Sequence, residues 1–287
     1  MKKEFGKVNP AYQALLPQIS MLAKNAGSLI MDHHGRDYSV EIKDDSSPVT
    51  TADKESNLIL TSGLSDLTPG YKVVSEENTV TPEAGSDAPF WVIDPLDGTR
   101  EFIDQTGGFC VKIALIEASR PVLGVIYCPV QDVLYTGLEH GQPLKTKGDK
   151  APQILKTRFA PEKGALTTLF NRKHADPALY REYRLKMAAN DVILPVQPKI
   201  KPGLPRSLLV AEGVVDAHAG TGTLDGSGYA WDVAADDLIL ALAGGALFSL
   251  HDGARLDYAR PREKMPPYMA VGDASLRTKL FPSLKNI

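Results

Sequence analysis

Trp91-Val92-Ile93-Asp94-Pro95-Leu96-Asp97-Gly98-Thr99-Arg100-Glu101-Phe102 is the stretch that decides the fold. Trp91, Val92 and Ile93 are strand formers with no polar residue between them, which predicts a strand covered on both faces. Pro95 fixes its φ and lacks an N–H, so the strand is expected to stop there. Gly98 permits a tight turn and close approach of the backbone to a ligand. Thr99 suits the cap of a following helical turn. Asp94 and Asp97 are thereby predicted at the carboxyl end of a strand, beside N–H groups able to hold an anion. Two neighbouring carboxylates repel, and a hard divalent cation bound by oxygens relieves that cost. An isolated D-x-x-D reads more simply as a solvated turn, so the case rests on partners elsewhere in the chain.

At 287 residues the chain has room for one large domain or two smaller ones. A hydrophobic content of 43% with 23% charged residues is that of a globular protein in water. The net charge of −3 argues against a surface that neutralises a nucleic-acid polymer. It leaves room for a small anion, because bound metal ions invert a local field. Cys110 and Cys128 lie in apolar, strand-like runs and are expected as buried free thiols. Residues 1–6 are not followed by an apolar run with a cleavage site, and no apolar stretch is long enough for a bilayer. A cytoplasmic enzyme without an integral membrane segment is the expectation.

Apolar residues at helical spacing predict a helix over 10–33, ended by Gly35. A strand follows at 38–42, and then a turn-rich loop. A second helix is expected from Thr51 to Leu64, capped by Thr51 or Asp53, with Glu55 in its first turn. Residues 71–74 form a short strand ending in Ser75-Glu76-Glu77-Asn78, and 79–89 a surface loop. After the central strand, runs at 110–116, 121–127 and 133–136 predict an antiparallel meander. The polar, glycine-containing loop 140–150 offers the division of the chain, giving subdomains 1–145 and 146–287. In the second, strands are expected at 165–169, 192–194, 214–217 and 246–250. Helices are expected at 178–189, 207–212 and from Tyr229 through Ala243. Strands and helices mix without strict alternation, which indicates a layered α/β or α+β protein.

Three acidic clusters stand at strand or helix ends: Glu76, the pair Asp94 and Asp97, and Asp232. Taken singly, Glu76 reads as a solvated loop residue and Asp232 as a helix-start acid. Taken together they supply the several oxygens that one metal needs, and the shared carboxylate that a two-metal phosphatase needs.

Those segments resemble the inositol-monophosphatase superfamily of magnesium-dependent, lithium-sensitive phosphatases. Ser75-Glu76-Glu77 is similar to its acidic loop. Residues 91–99 resemble its D-P-[IL]-D-G-T signature, and Ala230-Trp231-Asp232-Val233-Ala234-Ala235 its W-D-x-A-A element, in the family's order. Arg100-Glu101-Phe102-Ile103, residues 124–130, Asn171-Arg172-Lys173-His174-Ala175-Asp176, residues 209–213 and Leu256-Asp257-Tyr258 resemble the branch of CysQ-type 3′(2′),5′-bisphosphate nucleotidases. The resemblance implies an α/β layered sugar-phosphatase fold in two subdomains, the second contributing Asp232 and substrate contacts. It implies removal of the 3′-phosphate of adenosine 3′,5′-bisphosphate, a by-product of sulfate activation, to leave AMP. It assigns one magnesium to Glu76, Asp94 and the Leu96 carbonyl and a second to Asp94, Asp97 and Asp232, and it allows a third, weaker ion near Glu76. Asp53 and Thr99 match the pair that activates the attacking water. Substrate contacts fall on Glu76, Leu96, Asp97, Gly98, Thr99 and Asp232, and His174, in a family-like segment, is either a structural residue or an added phosphate contact. The implied partner is a small phosphorylated nucleotide, the protein a monomer or homodimer in the cytoplasm or at the inner face of the cell membrane.

The chain departs from that branch in two places. Pro202-Gly203-Leu204-Pro205 stands where Gly-Ser is usual, near the expected nucleotide. Asp236 and Asp237 follow W-D-x-A-A in place of the usual glycine and its neighbour. An inositol- or sugar-phosphate phosphatase with the same metals is the first alternative, although Arg100-Glu101-Phe102 differs from the Thr-Asn-Phe of the inositol branch. A non-catalytic nucleotide sensor is the second, and a mere binder has no need of an intact Asp53 and Thr99. His33, His34, His140, His218 and His251 lack metal spacing and read as surface or structural residues. Arg172 and Lys173 form a basic face that is solvated or turned toward the anionic ligand.

Overall fold

The computed structural model describes residues 6–36, 40–42, 48–82, 88–159, 166–170, 181, 185, 204–220 and 228–278. Its α-helices with described bounds are α1 (Pro10–His33), α2 (Thr51–Leu67), α3 (Thr99–Ile103), α4 (Arg206–Ala211) and α5 (Ala230–Leu242). Seven strands form one sheet in sequence order: β3 (Lys72–Ser75), β4 (Phe90–Asp97), β5 (Cys110–Glu117), β6 (Arg120–Cys128), β7 (Val133–Leu138), β8 (Leu144–Lys147) and β9 (Gln153–Ile154). A second sheet has the order β10 (Thr168–Phe170), β11 (Ala217–Gly220), β13 (Tyr268–Val271), β12 (Ala246–Ser249). The short β1 (Val40–Ile42) and β2 (Pro48–Thr50) pair with each other. The expected α/β layered fold is present: α1 and α2 cover one face of the large sheet, and α5 covers the other.

Alternation along the strands sorts the core into two halves. Trp91, Ile93, Val111, Ile113 and Leu115 face α1 and α2, where Ile19, Ala23, Ala26 and Ile30 form the buried stripe of α1. Val92, Cys110, Ala114 and Ile126 face α5, with its Ala234, Ala235 and Ile239. Two glycines let α5 approach the sheet closely. A Cβ on Gly124 would lie 3.3 Å from both Cα and O of Ala235, and one on Gly137 3.1 Å from Cγ1 of Ile239. The helix that carries Asp232 is therefore seated on bare backbone.

Several boundaries differ from the sequence expectations. The central strand does not stop at Pro95. Its ladder runs to Asp94↔Lys112 and resumes at Asp97↔Cys110, so Pro95 and Leu96 together oppose the single Val111 as a bulge. Residues three apart in a regular strand point to opposite faces, and the extra residue returns Asp97 to the side of Asp94. Thr50, not Thr51 or Asp53, is the N-cap of α2, and Asp53 completes a capping box from the N3 position. Thr99 is the first residue of α3, behind Gly98 at φ 94, and does not cap it. The loop expected at 140–150 contains β8, so the 145/146 division falls within a strand of a sheet that continues to Ile154. β13, preceded by Pro266 and Pro267, had no counterpart in the sequence reading. The expected helix 178–189 and strand 192–194 lie outside the described residues, apart from positions 181 and 185.

Cys110 and Cys128 are buried free thiols, as expected. His218 on β11 is buried beside Leu169 O and edge-on to Tyr268. Burial, and then the Arg206 charge, push its imidazole down to about 3. An imidazole buried neutral removes stability as pH falls from its unfolded value near 6.5 toward 3. Its ring resonances are expected to stay constant from neutral pH down to about pH 5. A midpoint above about 6 in a histidine NMR titration would contradict this burial. Gly124→Val should lower stability by about 1–3 kcal/mol through overpacking against α5, measured as a lower urea midpoint with an unchanged slope. An unchanged midpoint would refute the close seating of α5.

Candidate active site

The site is built where three chain segments end. β3 runs parallel to β4 with Ser75 opposite Ile93, which sets Glu76 beside Asp94, and the Glu76 amide donates to Ile93 O at 3.3 Å. The bulge places Asp94 and Asp97 on the α5 side. At the start of α5, Asp232 occupies the third helical position and its Oδ2 accepts from the Tyr229 amide at 2.6 Å. A Cβ on Gly228, at φ 80, would lie 2.7 Å from that Oδ2, so glycine leaves the carboxylate its space. Asp94, Asp97 and Asp232 each offer an oxygen within 4.8 Å of the others'.

Such crowding raises the energy of the ionised forms. Asp94 is 1% exposed. Burial first, and then Glu76, Asp97 and Asp232, hold its carboxyl well above the usual carboxylate range, against the opposing charge of Lys112. Asp232 is pushed up to about 6 by burial and then by Asp97, against Lys112 and the Tyr229 amide. The Leu96 amide donates to Asp94 Oδ1 at 3.0 Å and fixes one of its oxygens. The donor set is entirely hard oxygen, in excess negative charge, and fits a hard divalent cation.

Asp53 and Thr99 meet although 46 residues separate them. Thr99 Oγ1 donates to Asp53 Oδ1 at 2.9 Å and lies 3.3 Å from Leu96 O. The other carboxylate oxygen, Oδ2, accepts from the Thr50 amide at 2.7 Å and from Thr50 Oγ1 at 2.5 Å. Asp53 is 1% exposed, so the carboxylate is fixed on both sides. Ser56, one turn on, donates to Pro95 O at 2.8 Å and fastens α2 to the bulge. Gly98 is left-handed, and a Cβ there would meet Gly108 O at 2.8 Å, so glycine is required on both counts.

Of the residues singled out from sequence, Asp53, Glu76, Asp94, Leu96, Asp97, Gly98, Thr99 and Asp232 are brought together. His174, Arg172, Lys173, Pro202 and Gly203 lie outside the described residues. Leu204 packs against the core and Pro205 precedes α4.

Three residues at the site were missed. Lys112, 5% exposed, stands in the middle of β5. Its Nζ lies 2.8 Å from Asp97 Oδ2 and 3.1 Å from Asp236 Oδ2, and donates to Asp232 O at 2.6 Å. Burial works against its charge, but Asp236 and Asp97 outweigh it and keep the ammonium well above the ordinary lysine range. Asp236, the second missed residue, faces Lys112 as an ion pair by distance, without the angle of a full hydrogen bond. The third, Arg262, donates to Val80 O at 2.8 Å, Ser75 O at 3.0 Å and Asn78, and lies 5.5 Å over the Trp231 ring. A lysine inside the apolar run Cys110-Val111-Lys112-Ile113-Ala114 was the available signal for the first. Arg262 carried no local signal.

The family model for the inositol monophosphatase family matches residues 12–279. The chain is 36% identical over 254 residues to the 3′(2′),5′-bisphosphate nucleotidase CysQ of Escherichia coli O157:H7, covering 87% of this chain and 95% of that protein. Among solved structures it is similar to CysQ from Bacteroides thetaiotaomicron, a bacterial member of the inositol monophosphatase family. That match has a TM-score of 0.72 and 27% identity, covering 92% of this chain and 98% of the other. The suhB protein of Bartonella henselae has a TM-score of 0.73 at 24% identity, covering 95% and 99%, and shows the same fold. With its acidic cluster, its D-P-L-D-G-T bulge and its W-D-x-A-A helix in place, the chain belongs to the inositol monophosphatase family, a family of metal-dependent phosphatases.

Proposed function

We propose that this chain is a magnesium-dependent 3′(2′),5′-bisphosphate nucleotidase that converts adenosine 3′,5′-bisphosphate to AMP and phosphate. The observation that carries the reading is the joint presence of the Asp94–Asp97–Asp232 cluster and the Asp53–Thr99 hydrogen bond. The CysQ relatives, matched over nearly their whole length, support the substrate class. The partner is then a small phosphorylated nucleotide, acted on by a monomer or homodimer. Among the described residues no helix is long and apolar enough to cross a membrane. A cytoplasmic placement follows from the reading, and peripheral attachment at the membrane is not supported.

The residues divide the chemistry as follows. Glu76, Asp94 and the Leu96 carbonyl would hold one magnesium, and Asp94, Asp97 and Asp232 a second; the family resemblance allows a third, weaker ion near Glu76. When bound, the ions supply positive charge for the phosphoryl oxygens and acidity for water. Thr99 Oγ1, donating its hydrogen to Asp53, turns a lone pair outward to orient water and take its proton, which passes on to Asp53. Asp53 stays an acceptor because Thr50 holds its second oxygen. The Gly98 and Thr99 amides, with Leu96, Asp97 and the flanking acids, frame the phosphate; His174, outside the described residues, is a further candidate contact from sequence alone. The seven-stranded sheet carries Asp94 and Asp97, and α5, packed on that sheet, brings Asp232 to them. Sulfur metabolism and lithium sensitivity follow from the same assignment.

Substrate preference and the turnover and stability of variants test the reading. With purified protein and magnesium, phosphate release from adenosine 3′,5′-bisphosphate should exceed release from inositol 1-phosphate; the reverse preference would transfer the chain to the inositol branch. Asp94→Asn should abolish turnover, and near wild-type turnover in that variant would overturn the metal assignment. Thr99→Ala should lower kcat by about two to four orders of magnitude with KM little changed. Asp53→Asn should do the same and also cost about 1 kcal/mol of stability, because it opens the capping box. The double variant should cost far less than the product of the two. Retained turnover in either single variant would dismiss the dyad.

A further inference from the structure

We propose that Lys112 and Asp236 form a charge pair built into the metal site, which sets how tightly its Asp97–Asp232 side holds a divalent ion. The proposal rests on the metal-site reading above. Lys112 stands opposite Asp94 in the β4–β5 ladder, on the face toward α5. Its side chain is 6% exposed and reaches an oxygen from each of three residues: Asp97 Oδ2, the Asp232 carbonyl and Asp236 Oδ2. The ammonium donates to the Asp232 carbonyl and has two carboxylate oxygens within ion-pair distance. A buried cation is tolerated only where countercharge faces it.

Asp236 supplies that countercharge. It follows Asp232 by four residues on α5, which brings both to one helix face. Asp237, the next residue, serves a different cation: its Oδ2 accepts from Arg120 at 3.1 Å and from Tyr258 at 3.1 Å. The two adjacent aspartates are therefore not interchangeable. Asp97 Oδ2 is held by Lys112, with Cys110 Sγ at 3.6 Å, which leaves Oδ1 for an ion. One lysine thus connects the bulge carrying Asp97 to the helix carrying Asp232, segments 135 residues apart in sequence. By itself its positive charge would weaken cation binding. Asp236 cancels that charge and leaves the connection.

A charge cycle on the whole protein tests this, with magnesium chloride as the probe and titration calorimetry at fixed pH and ionic strength. Asp236→Asn leaves the lysine uncompensated and should bind magnesium about tenfold more weakly. Lys112→Gln leaves an extra carboxylate and should bind about tenfold more tightly. The double variant restores the balance and should return near the wild-type affinity. A pair that only maintained packing would weaken binding in all three, and that result would overturn the proposal while leaving the metal site intact. If Lys112→Gln does not fold, recovery of affinity from Asp236→Asn to the double variant decides the matter, and no recovery overturns it. A wild-type protein that binds no magnesium would remove the metal-site reading and this proposal with it.

Discussion

Repulsion between carboxylates gathered at one end of the central sheet is the constraint on which the rest of the structure depends. Glu76, Asp94, Asp97 and Asp232 come from three separate segments, and Asp94 is almost wholly removed from water. A fold that left these acids free to separate would let them do so. Here the backbone prevents it. Parallel pairing of β3 with β4 fixes Glu76, the bulge fixes Asp97, and close seating of α5 on Gly124 and Gly137 fixes Asp232. The hydrophobic core is what opposes the repulsion, since each carrier element is anchored by buried apolar side chains on both faces of the sheet. The same strain is what makes the cluster a receptor for divalent charge.

The bulge at Pro95 and Leu96 is the geometrical device that makes a D-x-x-D segment useful. Without the extra residue Asp97 would point toward Trp91 and α2, into the apolar half of the core. With it, Leu96 fills that half while Asp94 and Asp97 share the polar side. Proline belongs at such a position, because its missing N–H would leave a gap in an unbroken ladder. Asp53 shows similar economy. One carboxylate oxygen closes the start of α2 and the other receives Thr99, so helix capping and the Thr99 hydrogen bond are compatible uses of one side chain.

Much of this was legible in the sequence because it is local. The apolar period of α1, the strand-forming run before Asp94, the meander of β5 to β7 and the acid at the start of α5 each declare themselves within a window of a few residues. The bulge did not, because register is a property of two strands and Pro95 alone reads as an ending. β8 and β13 were hidden for a related reason: each is only four residues long and carries little pattern of its own, although β8 lies between β7 and β9 and β13 between β11 and β12. Thr50 lost the cap to Thr51 in the reading because two adjacent threonines are equivalent until the helix start is known. Asp236 and Asp237 stood out as departures, yet their meaning depends on Lys112 and Arg120, more than a hundred residues away in the chain.

Long-range cations supply what local pattern cannot. Lys112 connects Asp97 to the carbonyl of Asp232, and Arg262 connects the backbone of residues 75–80 to the ring of Trp231, the neighbour of Asp232. Both converge on the start of α5. The two differ in kind, which fits their places. Arg262 presents a planar fork to several carbonyls and an aromatic face, and so fixes the direction of the Glu76 loop without lying within the acid cluster. Lys112 is a compact charge inside the cluster and alters the field there as well as the geometry. A metal site assembled from distant segments needs both functions, because ligands brought together only by the ion would charge its binding with the whole cost of their ordering. Here that cost is met largely at folding, by two basic side chains and a close helix–sheet contact, before any ion arrives.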